Sequence, residues 1–334
     1  MRLDDLDYAL PPDLIAQEPV EPRDASRLLV VDRATGALAD RVFSDLPSLL
    51  RPDDVVVVNT TPVIPARLRL RRATGGAAEA LLLEARADGD WEALVRPARR
   101  LRPGERLAAA GLEVEVVEVR EAGEAIVRLH AEGPLEAALA RAGEMPLPPY
   151  IGTPLADPER YQTVYAAQPG SAAAPTAGLH FTPELLARVR ATCRVEEVEL
   201  QVGLDTFRPV QADDLDGHAM HSERYAVDPA VRERLLAARA AGGRIVAIGT
   251  TTVRVLETIA DPAAPDRGRT ALLLQPGHRF RLVDALVTNF HLPRSTLLAL
   301  VMALGGESAL RSAYAHAVRE RYRFYSFGDA MLIA

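Results

Sequence analysis

The chain has 334 residues, 48% of them apolar, a formal net charge of -7 and one cysteine, Cys193. That is enough apolar mass for a packed core, and it excludes a disulfide framework and a cysteine-built zinc site, which fits a reducing cytosol. The acidic balance excludes attraction of nucleic acid to the whole surface, and no apolar run approaches membrane-spanning length, so the reading is a cytoplasmic protein without a membrane segment.

Pro11-Pro-Asp-Leu-Ile-Ala-Gln17 predicts a helix start, Arg27-Leu-Leu-Val-Val-Asp32 a strand, and Val55-Val-Val-Val58 a second strand whose unbroken β-branched run fits burial on both faces. From about Val63 to His130 the pattern changes to alternation, as in Leu112-Glu-Val-Glu-Val-Val-Glu-Val119, with turn signals at Gly75-Gly76, Asp88-Gly-Asp90 and Pro103-Gly104. Short alternating strands between regular turns predict a small antiparallel barrel or sandwich. Residues 62–106 hold ten arginines against six acids, a local excess of +4. Every basic Lys-or-Arg position in the chain is arginine. The group Arg67, Arg69, Arg71, Arg72, Arg96, Arg99, Arg100, Arg102 and Arg106 suits phosphate contact, and equally a solvated surface.

A short helix from Pro134 to Ala142 and the stiff Met145-Pro-Leu-Pro-Pro-Tyr150 close this section. Alternation of helix and strand then returns: helix 184–191, strand 195–201, helix 229–241, strand 244–248, helix 252–260, strands 271–274 and 286–288, and helices near 295–304 and 307–320. The predicted fold class is α/β, a discontinuous α/β domain (1–61 and 149–334) with an inserted small antiparallel β-barrel domain (62–148).

Four of the seven histidines fall in segments that neither a helical nor a strand period explains. Gly170-Ser-Ala-Ala-Ala-Pro-Thr-Ala-Gly-Leu-His-Phe-Thr182 reads as a loop shaped around a ligand, with small residues that admit close backbone approach and His180 and Phe181 arriving together. His218-Ala-Met-His-Ser-Glu223 suits a turn, direct substrate contact or, with His180 or His291, a metal. Gly249-Thr-Thr-Thr-Val-Arg254 follows a strand and opens a helix, which fits anion binding or simple capping, and it lacks the ending of a P-loop. Asn289-Phe-His-Leu-Pro-Arg-Ser-Thr296 projects His291 and Arg294 from a strand's C-terminal edge, the usual ligand side of an open α/β sheet. Tyr322-Arg-Phe-Tyr-Ser-Phe-Gly-Asp-Ala-Met331 packs four of fifteen Phe and Tyr into six residues before Asp329, as core or as an aromatic wall.

Together these segments closely resemble the S-adenosylmethionine:tRNA ribosyltransferase-isomerase family of queuosine biosynthesis. The likeness runs almost end to end, through Leu14-Ile-Ala-Gln17, Arg23-Asp24, Ser26-Arg-Leu-Leu29, Val63-Ile-Pro-Ala-Arg-Leu68, Pro146-Leu-Pro-Pro-Tyr-Ile151, Glu159-Arg-Tyr-Gln-Thr-Val-Tyr165, the 170–182 loop, Thr206-Phe-Arg-Pro-Val210, Met220-His-Ser-Glu223, Gly249-Thr-Thr, Thr288-Asn-Phe-His-Leu-Pro293 and the C-terminal Gly-Asp-Ala-Met.

The resemblance implies a two-domain, single-chain enzyme. It moves the ribosyl part of its co-substrate S-adenosylmethionine onto 7-aminomethyl-7-deazaguanine at the tRNA wobble position, giving epoxyqueuosine, adenine and methionine. No metal is implied. The implied partner is tRNA, through the anticodon arm of the GUN anticodon class, with no membrane, no obligate protein partner and a monomeric state. A sulfonium acidifies its neighbouring C–H bonds, so the implied catalytic candidates are His180 or His291 as base, with Glu223 and Asp329 as alternatives. Arg23, Arg208 and Arg294 are the implied ligands of the methionine carboxylate or of tRNA phosphate. Thr176, Gly178, Phe181, His221, Thr250, Thr251 and Asn289 complete the implied binding set.

The chain departs from the family pattern at two places. Asn59-Thr-Thr-Pro62 stands where Asn-Asp-Thr-Lys is usual, and Gln201-Val-Gly-Leu-Asp205-Thr-Phe where His-Val-Gly-Leu-Gly-Thr-Phe is usual, so Thr60, Pro62, Gln201 and Asp205 bear on the pocket. Rival readings are a diverged relative acting on another deazapurine or nucleoside, a non-catalytic RNA-binding relative, and a metal-dependent hydrolase.

Overall fold

The computed structural model describes residues 1–167, 171, 173–203, 214–218 and 220–334. The chain opens with β1 (Arg27–Val31), β2 (Leu38–Val42), α1 (Leu46–Leu49) and β3 (Val55–Asn59), then lays down β4 (Arg67–Arg72), β5 (Ala77–Ala85), β6 (Trp91–Arg96), β7 (Arg106–Ala109), β8 (Leu112–Val119), β9 (Glu124–Ala131), α2 (Leu135–Ala142) and β10 (Gly143–Glu144). It continues with α3 (Pro183–Thr192), β11 (Arg194–Leu200), β12 (Glu223–Ala226), α4 (Pro229–Ala240), β13 (Ile245–Ile248), α5 (Thr250–Ile259), β14 (Arg267–Thr270), β15 (Ala285–Asn289), α6 (Thr296–Gly305), α7 (Glu307–Arg319) and β16 (Ala330–Ile333).

Among the described residues the strands form two sheets. The larger has the order β14-β12-β11-β3-β13-β15-β16-β1-β2, with β11, β3, β13 and β15 mutually parallel. The other runs β4-β5-β6-β9-β8-β7 and closes through β4–β7, an antiparallel barrel of six strands with β10 added beside β4. The expected α/β fold with an inserted barrel is therefore the fold observed.

The valine run of β3 behaves as its composition requires. Val55 and Val57 enter one apolar cluster with α4, α5, α6 and α7, while Val56 and Val58 enter another with α1 and α3. Covering on both faces is why the strand reads as an unbroken apolar run instead of alternating. In the barrel one face is solvated, and alternation returns: Leu112, Val114 and Val116 point inward while Glu113 and Glu115 lie at the surface side. Thr182 caps α3 by accepting from the Leu185 N–H, and Ser295 caps α6 through the Leu298 N–H.

Some elements differ from expectation. Residues 11–17 hold only a 3-10 turn at Pro12–Leu14, because Ile15 is extended and bridges Phe324. The strand expected at 271–274 lies instead at Arg267–Thr270 as β14, a charged edge pairing with β12. Four strands escape the sequence reading: β2, whose side chains are mostly exposed, the two-residue β10, β12, and β16, which is inserted between β15 and β1.

Candidate functional site

The topology gathers chemistry on one edge of the large sheet. β11, β3, β13 and β15 end there, and β12, β16 and β1 begin there. Asn59 ends β3 and knits the edge: its Nδ2 donates to the Leu200 carbonyl (3.0 Å), and its Oδ1 accepts from the Leu200 N–H (3.0 Å) and the Thr61 hydroxyl (2.9 Å). The loop that the sequence singled out crosses this edge. Ser171 Oγ accepts from the Val202 N–H (3.0 Å) beyond β11, and a Cβ placed on Gly249 would stand 3.7 Å from Ala177, beside β13. Gly178 has a steric reason to be glycine, since an added Cβ would fall 2.0 Å from the Tyr165 hydroxyl.

That loop delivers His180 to the end of β15. The imidazole is buried, stacks on Phe43 with ring centroids 4.8 Å apart, and contacts Ser26 Oγ through Nδ1 (2.7 Å) and Asn289 Nδ2 through Nε2 (3.2 Å). Asn289 Nδ2 also donates to the Tyr325 carbonyl (2.9 Å). With its amide group donating, His180 Nε2 is the acceptor and Nδ1 carries the proton toward Ser26. Burial pushes the His180 pKa down to about 3, helped by the Arg323 and Arg23 charges and opposed by the Asn289 bond. Asn289 Oδ1 is buried without a hydrogen-bond partner among the described residues. A small cavity of about 20 Å³ opens beside His180, between Arg23, Arg160 and Ser326.

A second, larger cavity of about 160 Å³ lies between the barrel and the start of β12. Glu84, Glu92 and Glu124 border it from the barrel, Gly203, His221 and Glu223 from the sheet, with Arg120 and Arg269 at its margin. Glu223 is buried, accepts the Gly203 N–H (2.8 Å) and is paired with Arg254 of α5. Glu84 ties the two parts together, meeting Arg224 (2.5 Å) and Arg269 (2.7 Å). β12 and β15 are four strand positions apart in the sheet. At about 4.8 Å per step, Glu223 and Asn289 are about 19 Å apart along the edge.

The other candidates fall as follows. His291 sits with Thr288, whose hydroxyl it meets at 2.8 Å, while its backbone binds the hydroxyls of Tyr8 and Tyr314. Thr288 and Asn289 point to opposite faces of β15, so His291 and His180 approach the sheet from opposite sides. Burial lowers the His291 pKa to about 3 as well. Asp329 accepts the backbone N–H groups of Arg27 (2.8 Å) and Arg323 (2.7 Å), and burial raises its pKa. Arg23 spends its guanidinium on the carbonyls of Gln162, Leu179 and Glu159. Arg294 is exposed and pairs with Asp4 (2.9 Å).

Phe181 is core, edge-on to Phe43 and Tyr165. Thr176 opens the 3-10 turn Thr176–His180, Thr250 and Thr251 open α5, and Thr251 Oγ1 lies 3.5 Å from Asn59. His221 is exposed at the larger cavity. Arg208 and Asp205 lie outside the described residues. Of the departures from the family pattern, Thr60 is buried and reaches the Val198 carbonyl (3.4 Å), the Pro62 carbonyl accepts from Ser171, and Gln201 pairs through its backbone with Arg224.

Sequence reasoning missed Ser26, Phe43 and Arg254 as partners of the candidates. Ser26 and Arg254 were inside quoted motifs, whereas nothing local marks Phe43. Among the described residues, no three His, Cys, Asp or Glu side chains gather as metal ligands, and no helix is long and apolar enough to cross a membrane.

A family model described as queuosine biosynthesis protein matches residues 3–333. The chain is 57% identical to S-adenosylmethionine:tRNA ribosyltransferase-isomerase of Symbiobacterium thermophilum and 55% identical to that of Moorella thermoacetica, each likeness covering 100% of both chains. Among solved structures it is similar to S-adenosylmethionine tRNA ribosyltransferase from Thermotoga maritima, with TM-score 0.57, 39% identity, and coverage of 99% of this chain and 100% of that one.

Proposed function

The chain belongs to the queuosine biosynthesis protein family, and from that premise we propose that it is an S-adenosylmethionine-dependent tRNA ribosyltransferase-isomerase. Its acceptor is 7-aminomethyl-7-deazaguanine at the wobble position of GUN-anticodon tRNA, and its products are epoxyqueuosine, adenine and methionine. The carrying observation is the full-length identity to the two named relatives, to which the sheet edge adds a chemical rationale.

The reaction takes two large partners, and the two cavities lie near the same sheet edge, one beside His180 and one beside Glu223. In this reading the sulfonium donor lies along the strand ends from Asn59 and Gly249 to Asn289, where Asn289 Oδ1 is an acceptor for a ligand N–H or O–H group. An unmet buried acceptor costs about 1–3 kcal/mol, so a ligand that meets it gains affinity and orientation together. The extruded base enters the larger cavity, whose glutamates suit a cationic aminomethyl group.

Of the four acid–base candidates, His180 lines the smaller cavity and Glu223 the larger one. His180, neutral and fixed in one tautomer, suits holding and relaying a proton. Incubating the protein with S-adenosylmethionine and aminomethyl-deazaguanine tRNA, followed by mass analysis of nucleosides, checks the assignment. Epoxyqueuosine with stoichiometric adenine supports it, and unchanged nucleosides with intact tRNA binding sink it.

A further inference from the structure

The arginine excess of the inserted segment is not spread evenly over the barrel. Arg96 ends β6, Arg99 and Arg100 lie in the 3-10 turn Ala98–Arg100, Arg102 follows, and Arg71 stands at the far end of β4. Two bonds draw these pieces together: Arg72 Nη2 donates to the Arg100 carbonyl (2.8 Å), and Arg102 Nη1 to the Arg99 carbonyl (3.1 Å). All five of Arg71, Arg96, Arg99, Arg100 and Arg102 are exposed, and none has a salt bridge among the described residues. Their arginine neighbours are different: Arg69, Arg72 and Arg106 are neutralised by Glu144, Glu105 and Glu113. Acids border the rim as well: Glu79 stands opposite Arg96 in register, Glu105 is taken up by Arg72, and Glu121 lies in the turn after Arg120.

The rim also has a position. A Cβ on Gly123 would stand 3.3 Å from the Val95 carbonyl and 4.0 Å from Ala98, so the arginine turn packs against the turn Glu121–Gly123. Arg120 and Glu124, on either side of that turn, line the larger cavity. From Ala93 at the cavity to Arg96 at the rim is three strand residues, about 10 Å. Five exposed arginines without a salt bridge among the described residues thus stand together beside the larger cavity of a chain whose net charge is -7.

We propose that this rim is the surface that grips the phosphate backbone of the RNA substrate, holding the anticodon arm while one base enters the adjacent cavity. The inference rests on the tRNA reading above and names the face that this reading leaves open. Arginine forks match phosphate geometry, and their contacts release counterions, so the grip has a salt signature.

The test measures binding of aminomethyl-deazaguanine tRNA by fluorescence anisotropy from 50 to 300 mM salt, alongside adenine release. In the Arg99→Ala/Arg100→Ala variant we expect Kd and KM for tRNA to rise about tenfold or more, with adenine release at saturating tRNA within twofold of wild type. The slope of log K against log salt should shrink by about 1.4–1.8, two contacts at roughly 0.7–0.9 each. Arg188→Ala, an exposed arginine on α3, serves as the control and should leave both unchanged. Wild-type affinity and slope in the double variant, or an equal loss in the control, overturns the rim. Wild-type protein that binds through the rim yet releases no adenine overturns the catalytic reading and leaves the rim standing. Protein that neither binds nor turns over ends both.

Discussion

At the scale of single residues, the state of His180 makes the sharpest predictions. With a pKa near 3 the ring is neutral at every pH above about 4, so the rate profile should carry no acid limb near 6.5 from this group. His180→Ala should lower kcat by about 10²–10⁴ while S-adenosylmethionine affinity, read by calorimetry, moves little. Stability gives an independent check. Because the folded pKa lies below the unfolded value, the unfolded chain binds the extra proton, and stability held above about pH 6.5 is lost as pH falls toward 3. Between pH 7 and 5 His180 should cost about 2 kcal/mol, and the partly exposed His291 less. Asp329, raised by burial, works in the opposite sense at lower pH. Urea unfolding at the two pH values measures the loss, and His180→Asn should flatten it. The sequence showed that His180 and Asn289 were unusual for their surroundings. It did not show Ser26 or Phe43 against the ring, because Ser26 lies 154 positions away and only the closed sheet brings it there.

At the scale of elements, the 3-10 turn Thr176–His180 is held by packing against Tyr165, so Gly178→Ala should be costly for one methyl group. Overpacking of this kind typically costs about 1–3 kcal/mol. A midpoint in urea unchanged from wild type would contradict the tight fit. Arg254→Met probes α5 and β12: it removes one charge-assisted hydrogen bond from buried Glu223, for an expected loss of roughly 1.5–3 kcal/mol measured by the same unfolding curves. How well each strand could be read followed its burial. β3 was plain because both faces are covered, and β8 because one is. β2 was hidden because Leu38-Ala-Asp-Arg-Val42 lies on an exposed edge with no pattern to obey. Residues 11–17 misled because Pro11-Pro-Asp13 looks like the first turn of a helix, while the bridge of Ile15 to Phe324 holds the chain extended after a single 3-10 turn.

At the scale of the whole molecule, the barrel and the sheet meet through Glu84 and its two arginines, all partly accessible to ions. Such bridges are worth about 1 kcal/mol or less each, so Glu84→Ala should cost about 1–2 kcal/mol at 50 mM salt and less at 500 mM. Thermal unfolding at both salts checks the difference. The fold class was legible because the change from continuous to alternating apolar runs survives in the sequence, whereas the spacing of about 19 Å between the two ends of the candidate site depends on strand order, which no local pattern encodes. The central position of β3 has a consequence in time. Its partners arrive late: Asn59 waits for Leu200, 141 positions on, and Asp54 for Arg244, 190 positions on, while each barrel strand finds a neighbour nearby. Long loops close slowly, so during refolding the barrel amides should gain protection from exchange before those of β3, and the chain spends that interval with four consecutive valines still seeking their neighbours.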